Sequence, residues 1–247
     1  MIEDYSQYTY TMREWTSYFL QGAAIGAVVG YLFYSSLLGM ALFMVYGFFY
    51  VHNKKEQLRK ERLWQLNLEF RDGLSSVSAA LNAGYSVENS FTEAVKDLRL
   101  MYTSESLIVR EFESIVRQIH MNMPVEEILK NFAERSDIDD IKNFAEVFIT
   151  AKRTGGDLIK IIKTTGNTIG DKIEVKREIL TMITAKKFES GIMNLIPFCI
   201  IIYLKLFSPG FLDPLYHNLF GIIFMSIMLI IYYAVSKMSV KIISIEV

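Results

Sequence analysis

The chain is divided at the stretch KRTGGDL, residues 152–158, which contains the paired glycines Gly155 and Gly156. Glycine adopts the left-handed conformation that ends a helix without the steric penalty of a Cβ atom. Asp157 follows the pair, and its carboxylate can cap the next helix by accepting a backbone N–H. The stretch therefore predicts a sharp turn between two helices. A glycine-rich loop that binds phosphate is the alternative.

The phosphate-loop alternative does not fit the surrounding sequence. A P-loop requires G-x-x-x-x-G-K-[ST] after a strand, whereas Gly156 precedes Asp157 and follows a helical pattern. No βαβ pattern supports dinucleotide binding. The three histidines, His52, His120 and His217, lie far apart, and no HExxH motif or Cys/His cluster is present. We therefore predict no catalytic residue, no cofactor and no metal site.

Charged residues are concentrated in one part of the chain. The 247 residues are 51% hydrophobic and carry a formal net charge of −1, which argues against a nucleic-acid-binding protein. The block 52–187 contains 22 of the 26 Lys and Arg residues and 21 of the 27 Asp and Glu residues. The flanking regions are nearly free of charge, as expected where lipid replaces water. This pattern predicts a polar domain between two membrane regions.

Residues 17–51 carry no formal charge. As one helix they would be about 52 Å long, whereas the hydrocarbon core of a bilayer is about 30 Å thick. We therefore predict two short spans joined by a tight turn near residues 34–36. Gly22, Gly26 and Gly30 share one helix face, where small residues let another helix approach closely. Alternatively, these glycines reflect only the general frequency of glycine in membrane helices.

The second membrane region predicts another hairpin, formed by residues 190–207 and 219–236. Pro197 lies within the first of these spans, where membrane helices tolerate proline. Lys205 lies two residues from the end of that span, so its ammonium can extend toward the interface. A charge that marks a transport path is the alternative interpretation of Lys205.

Basic residues after the first hairpin indicate the topology. They are Lys54, Lys55, Arg59, Lys60 and Arg62. By the positive-inside rule they place the polar block in the cytoplasm, and both termini then lie on the same side. A polybasic membrane-binding segment is the alternative interpretation.

Six amphipathic patterns in the polar block predict a six-helix bundle. Their apolar residues step by threes and fours, as on one face of a helix. The predicted boundaries are Gly84 after the first helix, Ser86 before the second, Pro124 before the fourth, Ser136 before the fifth and Asp157 before the sixth. The apolar stripe of the fifth helix includes Val147, and that of the sixth continues through Leu180.

Several short motifs carry a resemblance to a known family. Residues 81–86 (LNAGYS), 133–140 (AERSDIDD) and 154–158 (TGGDL) match the patterns L-x-A-G-x-S/P, A-x-R-S-x-x-x-D and T-G-G-x-L. Further matches in the second hairpin are Ser190-Gly191, Leu195-Ile196-Pro197, Pro209, Pro214-Leu215 and Ile245-Glu246-Val247. With these motifs the chain resembles the F-domain inner-membrane platform proteins of type II secretion and type IV pilus machines. It is most similar to the B-type platform protein of tight-adherence (Tad, Flp) pili.

Two positions depart from the family pattern. Lys187 stands where relatives often have glycine, and residues 121–124 lack the usual glycine before the fourth helix. At both places we expect altered local packing and the same fold.

The resemblance implies an all-α integral membrane protein with a cytosolic six-helix F domain between two hairpins, and therefore four transmembrane helices. The predicted domains are a cytosolic tail (1–16), hairpin one (17–51), the F domain (52–187) and hairpin two with a short cytosolic C-terminus (188–247). Both termini and the bundle are expected on the cytoplasmic side of the inner membrane.

The implied function is a non-enzymatic scaffold that couples a cytosolic ATPase to pilin assembly. The implied partners are a hexameric secretion ATPase, a C-type paralogue or a second copy of the chain, pilin subunits and membrane lipid, with no nucleic acid. A transporter or channel subunit with a cytosolic regulatory bundle is the alternative. The structural or interaction candidates are Gly155, Gly156, Asp157, Gly84, Gly22, Gly26, Gly30 and Pro197.

Overall fold

The computed structural model describes residue 5, residues 9–216 and residues 218–243, and within this part of the chain every regular element is an α-helix. In chain order the helices are α1 (Met12–Tyr34), α2 (Leu37–Phe43), α3 (Tyr46–Asn82), α4 (Val87–Met101), α5 (Leu107–His120), α6 (Val125–Ser136), α7 (Asp139–Thr154), α8 (Leu158–Phe207), α9 (Asp213–Tyr216) and α10 (Leu219–Ile243). The predicted all-helical class is confirmed. His217 and the motif at 245–247 lie outside the described residues.

The chain divides into two compact units. The first unit comprises Met1–Thr9 and Glu56–Val175, and the second comprises Tyr10–Lys55 and Lys176–Val247. Helices α3 and α8 contain 37 and 50 residues, and each continues from one unit into the other without a break. The sequence placed the end of the first hairpin at residue 51 and the start of the F domain at residue 52. A single helix forms there because residues 51–62 contain no glycine or proline to end it. The four-part division predicted above stays a prediction.

The first unit has one apolar core, formed by α3 to α7 and the first part of α8. Its largest fully buried side chains include Phe70, Phe91, Phe112, Phe132, Phe144 and Phe148. The Phe70 ring meets the Phe132 ring edge to face at 5.9 Å and the Phe144 ring at 5.5 Å. Aromatic pairs in this arrangement stabilise a core beyond the area they bury.

Two residues assigned to the apolar stripes are exposed instead. The exposed fraction is 48% for Val147 and 41% for Leu180. Val147 lies at the edge of the α7 stripe and borders a surface groove. Leu180 lies beyond residue 175, where α8 has left the core of the first unit.

Ser136 does not begin the fifth predicted helix, so that assignment was wrong. Helix α6 extends through Ser136, and Asp137 then adopts a left-handed conformation with φ 54°. The Ser136 hydroxyl donates to the Ala133 carbonyl at 3.0 Å. The same hydroxyl accepts the N–H of Ile138 at 3.4 Å, so it closes the turn after α6 and does not cap α7.

The turn predicted near residues 34–36 is present in the second unit. Helix α1 ends at Tyr34, and Ser35 adopts a left-handed conformation with φ 45°. The Ser36 hydroxyl then caps α2 by accepting the N–H of Leu38 at 3.2 Å. Serine favours such caps because its short side chain reaches the exposed N–H groups of the first turn.

The three regularly spaced glycines of α1 lie against the segment that follows this turn. A Cβ atom at Gly22 would lie 2.6 Å from the Cβ of Tyr50, and one at Gly30 would lie 2.5 Å from the carbonyl oxygen of Gly39. At Gly26 a Cβ would overlap the carbonyl oxygen of Phe43. The glycine face is therefore occupied by close packing within the chain.

Three helices in the described chain are long and apolar enough to cross a membrane. They are α1, the apolar part of α8, and residues Leu219–Ser239 of α10. The fourth predicted span, within residues 37–51, is not found as one apolar helix. It is divided between the seven-residue α2 and the start of α3, which soon becomes polar.

Replacing Gly26 by valine should destabilise the second unit, because the new side chain meets the backbone of Phe43. Overpacking of this kind costs about 1–3 kcal/mol, which corresponds to a decrease of about 2–12 °C in Tm for a chain of this size. The measurement is the Tm of the purified protein in detergent. Gly191→Val is the matched control, because a Cβ at this helical glycine would meet no atom within 4 Å. Equal Tm values for the two variants would contradict the close packing.

Candidate functional site

Three loops meet at one end of the first unit. They are residues 83–86 between α3 and α4, residues 121–124 between α5 and α6, and residues 154–157 between α7 and α8. We call these three loops the loop end. They contain two of the three family motifs that lie in the first unit.

One lysine shows that the loops are neighbours. The ammonium of Lys152 lies 3.0 Å from a carboxylate oxygen of Glu126 and 3.8 Å from one of Glu88. Lys152 is in the last turn of α7, whereas Glu126 and Glu88 are in the first turns of α6 and α4. The two carboxylates lie at helix N-termini and the ammonium at a helix C-terminus, so each charge also interacts favourably with its helix dipole.

Glu126 stays ionised at neutral pH. Burial alone raises the pKa of Glu126, but hydrogen bonds from its own backbone N–H and from Lys152 outweigh burial and lower that pKa below its ordinary value. The Lys152–Glu126 pair is partly exposed, so its main effect is to fix the position of α7 relative to α6.

The three loops end their helices in the same way. One residue adopts the left-handed conformation, and the next N–H bonds to a carbonyl five residues back, as in the Schellman motif. The left-handed residues are Gly84 (φ 92°), Asn122 (φ 60°) and Gly155 (φ 75°). The hydrogen bonds are Tyr85 to Ala80 at 3.2 Å, Met123 to Gln118 at 3.1 Å and Gly156 to Ala151 at 2.8 Å.

The turn at residues 154–157 has the geometry that the sequence predicted. Gly155 ends α7, and a Cβ placed on it would meet no atom within 4 Å. A Cβ on Gly156 would lie 3.2 Å from the Cβ of Ala151, so this position is sterically tight. The carboxylate of Asp157 accepts the N–H of Lys160 at 3.0 Å and caps α8. What these residues contribute to function stays a prediction.

Asn122 is a residue of this site that the sequence analysis missed. The missing glycine in residues 121–124 was noted, and altered packing was expected. Asn122 takes the left-handed position itself, because asparagine tolerates positive φ better than other non-glycine residues. An asparagine two residues before a proline was the signal that could have identified this turn.

The loop end presents apolar side chains to solvent. The exposed fractions are 47% for Tyr85, 66% for Met121 and 36% for Met123. A groove of about 430 Å³ lies at the third loop, between α7 and α8, and Val147, Gly156 and Ile161 contribute to its lining. Methionine adapts to different partner surfaces, and tyrosine adds contact area at low entropic cost. The loop end therefore has the chemistry of a protein-docking surface.

The other site candidates lie in the second unit and not at the loop end. Gly22, Gly26 and Gly30 pack within the chain, as described above. Pro197 lies within α8, and the Tyr232 hydroxyl donates to the Asn194 carbonyl at 3.0 Å in the turn before the proline. This hydrogen bond supports α8 near the position where proline removes a backbone donor.

Lys205 contacts neutral groups at the end of α1. Its ammonium donates to the Ser35 hydroxyl at 3.0 Å and lies 3.9 Å from the centre of the Tyr31 ring. The Tyr216 ring lies 5.6 Å away, and the Tyr216 hydroxyl donates to the Leu32 carbonyl at 2.8 Å. A cation at a helix C-terminus is stabilised by the exposed carbonyl groups. These contacts give Lys205 a structural role in joining α8 to α1.

The fold defines a class: helical membrane proteins that combine apolar helices long enough to cross a membrane with a polar helical unit. The sequence pattern of one family, Type II secretion system (T2SS), protein F, matches residues 74–204. The match covers more than half of the chain, and the chain belongs to this family. Members of the family are non-enzymatic membrane platform proteins.

The family assignment confirms the resemblance found in the sequence. With the three apolar helices, it makes the chain a multi-pass inner-membrane component related to type II secretion and type IV pilus machines. No curated protein and no solved structure matched the chain in the two other comparisons.

Proposed function

We propose that the chain is the non-enzymatic inner-membrane platform of a Tad-type pilus or type II secretion machine. In this role it couples a cytosolic secretion ATPase to the assembly of pilin subunits. The family match carries the proposal, and the motifs of the second hairpin at 190–191, 195–197 and 214–215 favour the Tad type. The energy for assembly then comes from the ATPase.

The proposed topology has four spans. In it the segment 37–51 crosses the membrane as the second arm of the first hairpin, supported by its close packing against the glycine face of α1. The basic residues between 54 and 62 favour a cytoplasmic first unit, and both termini then lie on the same side. In this proposal, the first unit is the F-domain bundle.

The loop end is the proposed contact surface for the ATPase. Its exposed Tyr85 and Met121 lie on a backbone that three helix caps fix, so docking needs little ordering of the loops. The remaining partners in this proposal are a C-type paralogue or a second copy of the chain, pilin subunits and membrane lipid.

Deleting the gene should abolish surface filaments or secretion while pilin synthesis continues, and the intact gene should restore them. Complementation with Met121→Glu should fail, because a charge at this exposed apolar position weakens docking. Leu100→Glu is the matched control, since Leu100 is 87% exposed near the C-terminal end of α4, away from the loop end. Co-purification with the ATPase, measured for both variants, locates the defect.

The possible results distinguish failure of the proposed platform function from failure of the proposed docking role of the loop end. Normal filaments and secretion after deletion would refute the platform function. Normal complementation by Met121→Glu, with deletion still abolishing assembly, would refute only the docking role of the loop end.

A further inference from the structure

Tyr5 is buried in the first unit although it belongs to no helix. Its exposed fraction is only 2%. Its backbone N–H donates to the carbonyl of Arg135 at 3.1 Å, and its hydroxyl donates to a carboxylate oxygen of Glu111 at 2.8 Å. A side chain so close to the start of the chain is therefore held by both its backbone and its phenol.

The site that holds Tyr5 is built from buried charges. The side chain of Glu111 is 4% exposed and that of Arg135 is 15% exposed. The guanidinium of Arg135 donates to both carboxylate oxygens of Glu111, one of them at 3.2 Å. A buried ion pair of this kind is stable only when its remaining hydrogen-bonding capacity is also used. The Tyr5 hydroxyl provides one of the bonds that Glu111 accepts.

Two guanidinium groups lie against the tyrosine ring. The guanidinium carbon of Arg62 is 5.6 Å from the ring centre, and that of Arg135 is 6.0 Å from it. Cations at these distances are attracted to the electron-rich face of an aromatic ring. We call Arg62, Glu111 and Arg135 the tyrosine socket.

The socket selects its ligand by three separate features. The carbonyl of Arg135 accepts a hydrogen bond from a backbone N–H. The guanidinium groups attract an aromatic ring, and the buried carboxylate accepts a hydrogen bond from a hydroxyl. A tyrosine in a peptide segment meets all three requirements, whereas phenylalanine leaves the carboxylate without one donor.

We propose that the tyrosine socket is a docking site for a tyrosine-bearing peptide segment, and that the N-terminus of the chain is its occupant. Tyr5 acts as a latch that attaches residue 5 of the chain to α5 and α6. Residue 5 belongs to the first unit, and α1, which starts at Met12, belongs to the second. The proposal is independent of the secretion function.

The test uses the full-length protein in detergent and a fluorescent peptide of residues 2–9. Fluorescence anisotropy should show binding of the peptide to the Tyr5→Ala variant, in which the socket is vacated. The unaltered chain should bind the peptide at least about tenfold more weakly, because its own Tyr5 competes. A peptide with phenylalanine at position 5 should bind Tyr5→Ala about tenfold or more weaker than the tyrosine peptide, through loss of a bond to a charged acceptor.

A second variant keeps the proposal testable if Tyr5→Ala misfolds. Tyr5→Phe keeps the ring and loses only the hydroxyl, so its Tm should fall less than that of Tyr5→Ala, and it should bind the peptide more tightly than the unaltered chain does. Failure of a folded Tyr5→Ala protein to bind the peptide would overturn the proposal. Equal binding of the peptide by all three proteins would also overturn it, because the peptide would then bind elsewhere.

Discussion

Replacing Glu178 by proline is expected to abolish filament assembly or secretion while the protein still accumulates in the membrane. Glu178 is an exposed residue of α8 just after the first unit ends. Proline in a helix interior removes a hydrogen bond, clashes with the preceding turn and costs about 3 kcal/mol or more. The expected defect follows from the kink, because α8 runs from the loop end into an apolar span as one helix of 50 residues.

The measurement is the amount of surface filament or secreted protein after complementation, together with the amount of the variant in the membrane fraction. Glu178→Ala is the control, since it removes the same carboxylate and keeps the helix. Full assembly with the proline variant would show that an unbroken α8 is not needed. Loss of assembly with both variants would point to the carboxylate and not to helix continuity.

Replacing Gly155 by valine should displace the start of α8 and also abolish assembly. Gly155 has φ 75°, and a Cβ there would meet no atom within 4 Å, so the cost comes from the backbone and not from a clash. A non-glycine residue in this conformation costs about 1–2 kcal/mol, and a β-branched residue is among the least tolerant. The expected decrease in Tm is about 2–8 °C for a chain of this size.

The structure itself supplies the control for this substitution. Asn122 adopts nearly the same conformation in the neighbouring loop, with φ 60°. Gly155→Asn should therefore retain most of the stability and support assembly. If valine and asparagine behaved alike, a left-handed conformation at residue 155 would not be what the function requires.

Much of the helical structure follows from local features of the sequence. The spacing of apolar residues predicted that each helix buries one face, and Phe70, Phe112 and Phe144 lie on those buried faces. The turn at 154–157 was predicted from residue chemistry alone, since glycine permits positive φ and aspartate caps the next helix. The family motifs also depend on local chemistry, and they led to the correct family.

The predicted helix boundaries differ from the structure where the local sequence was compatible with two conformations. The hydroxyl of Ser136 could cap the following helix or bond to the preceding turn, and only the packed structure selected the second. Residues 46–82 could form two helices or one, because no residue between the apolar and polar parts forces a break. The segment 37–51 is divided by the break between α2 and α3, and its crossing of the membrane stays a prediction.

The sequence by itself determined the helical class, the separation of polar from apolar segments, the turn at Gly155 and the family. These properties follow from amino-acid composition, from the spacing of apolar residues and from the backbone preferences of single residues. All of these are local features of the sequence. Only the tertiary structure brought Gly84, Asn122 and Gly155 to one end of the first unit and placed Tyr5 against Glu111 and Arg135. Such contacts join residues that are distant in sequence. They depend on how the amphipathic segments pack around one core, and no local sequence pattern specifies that packing.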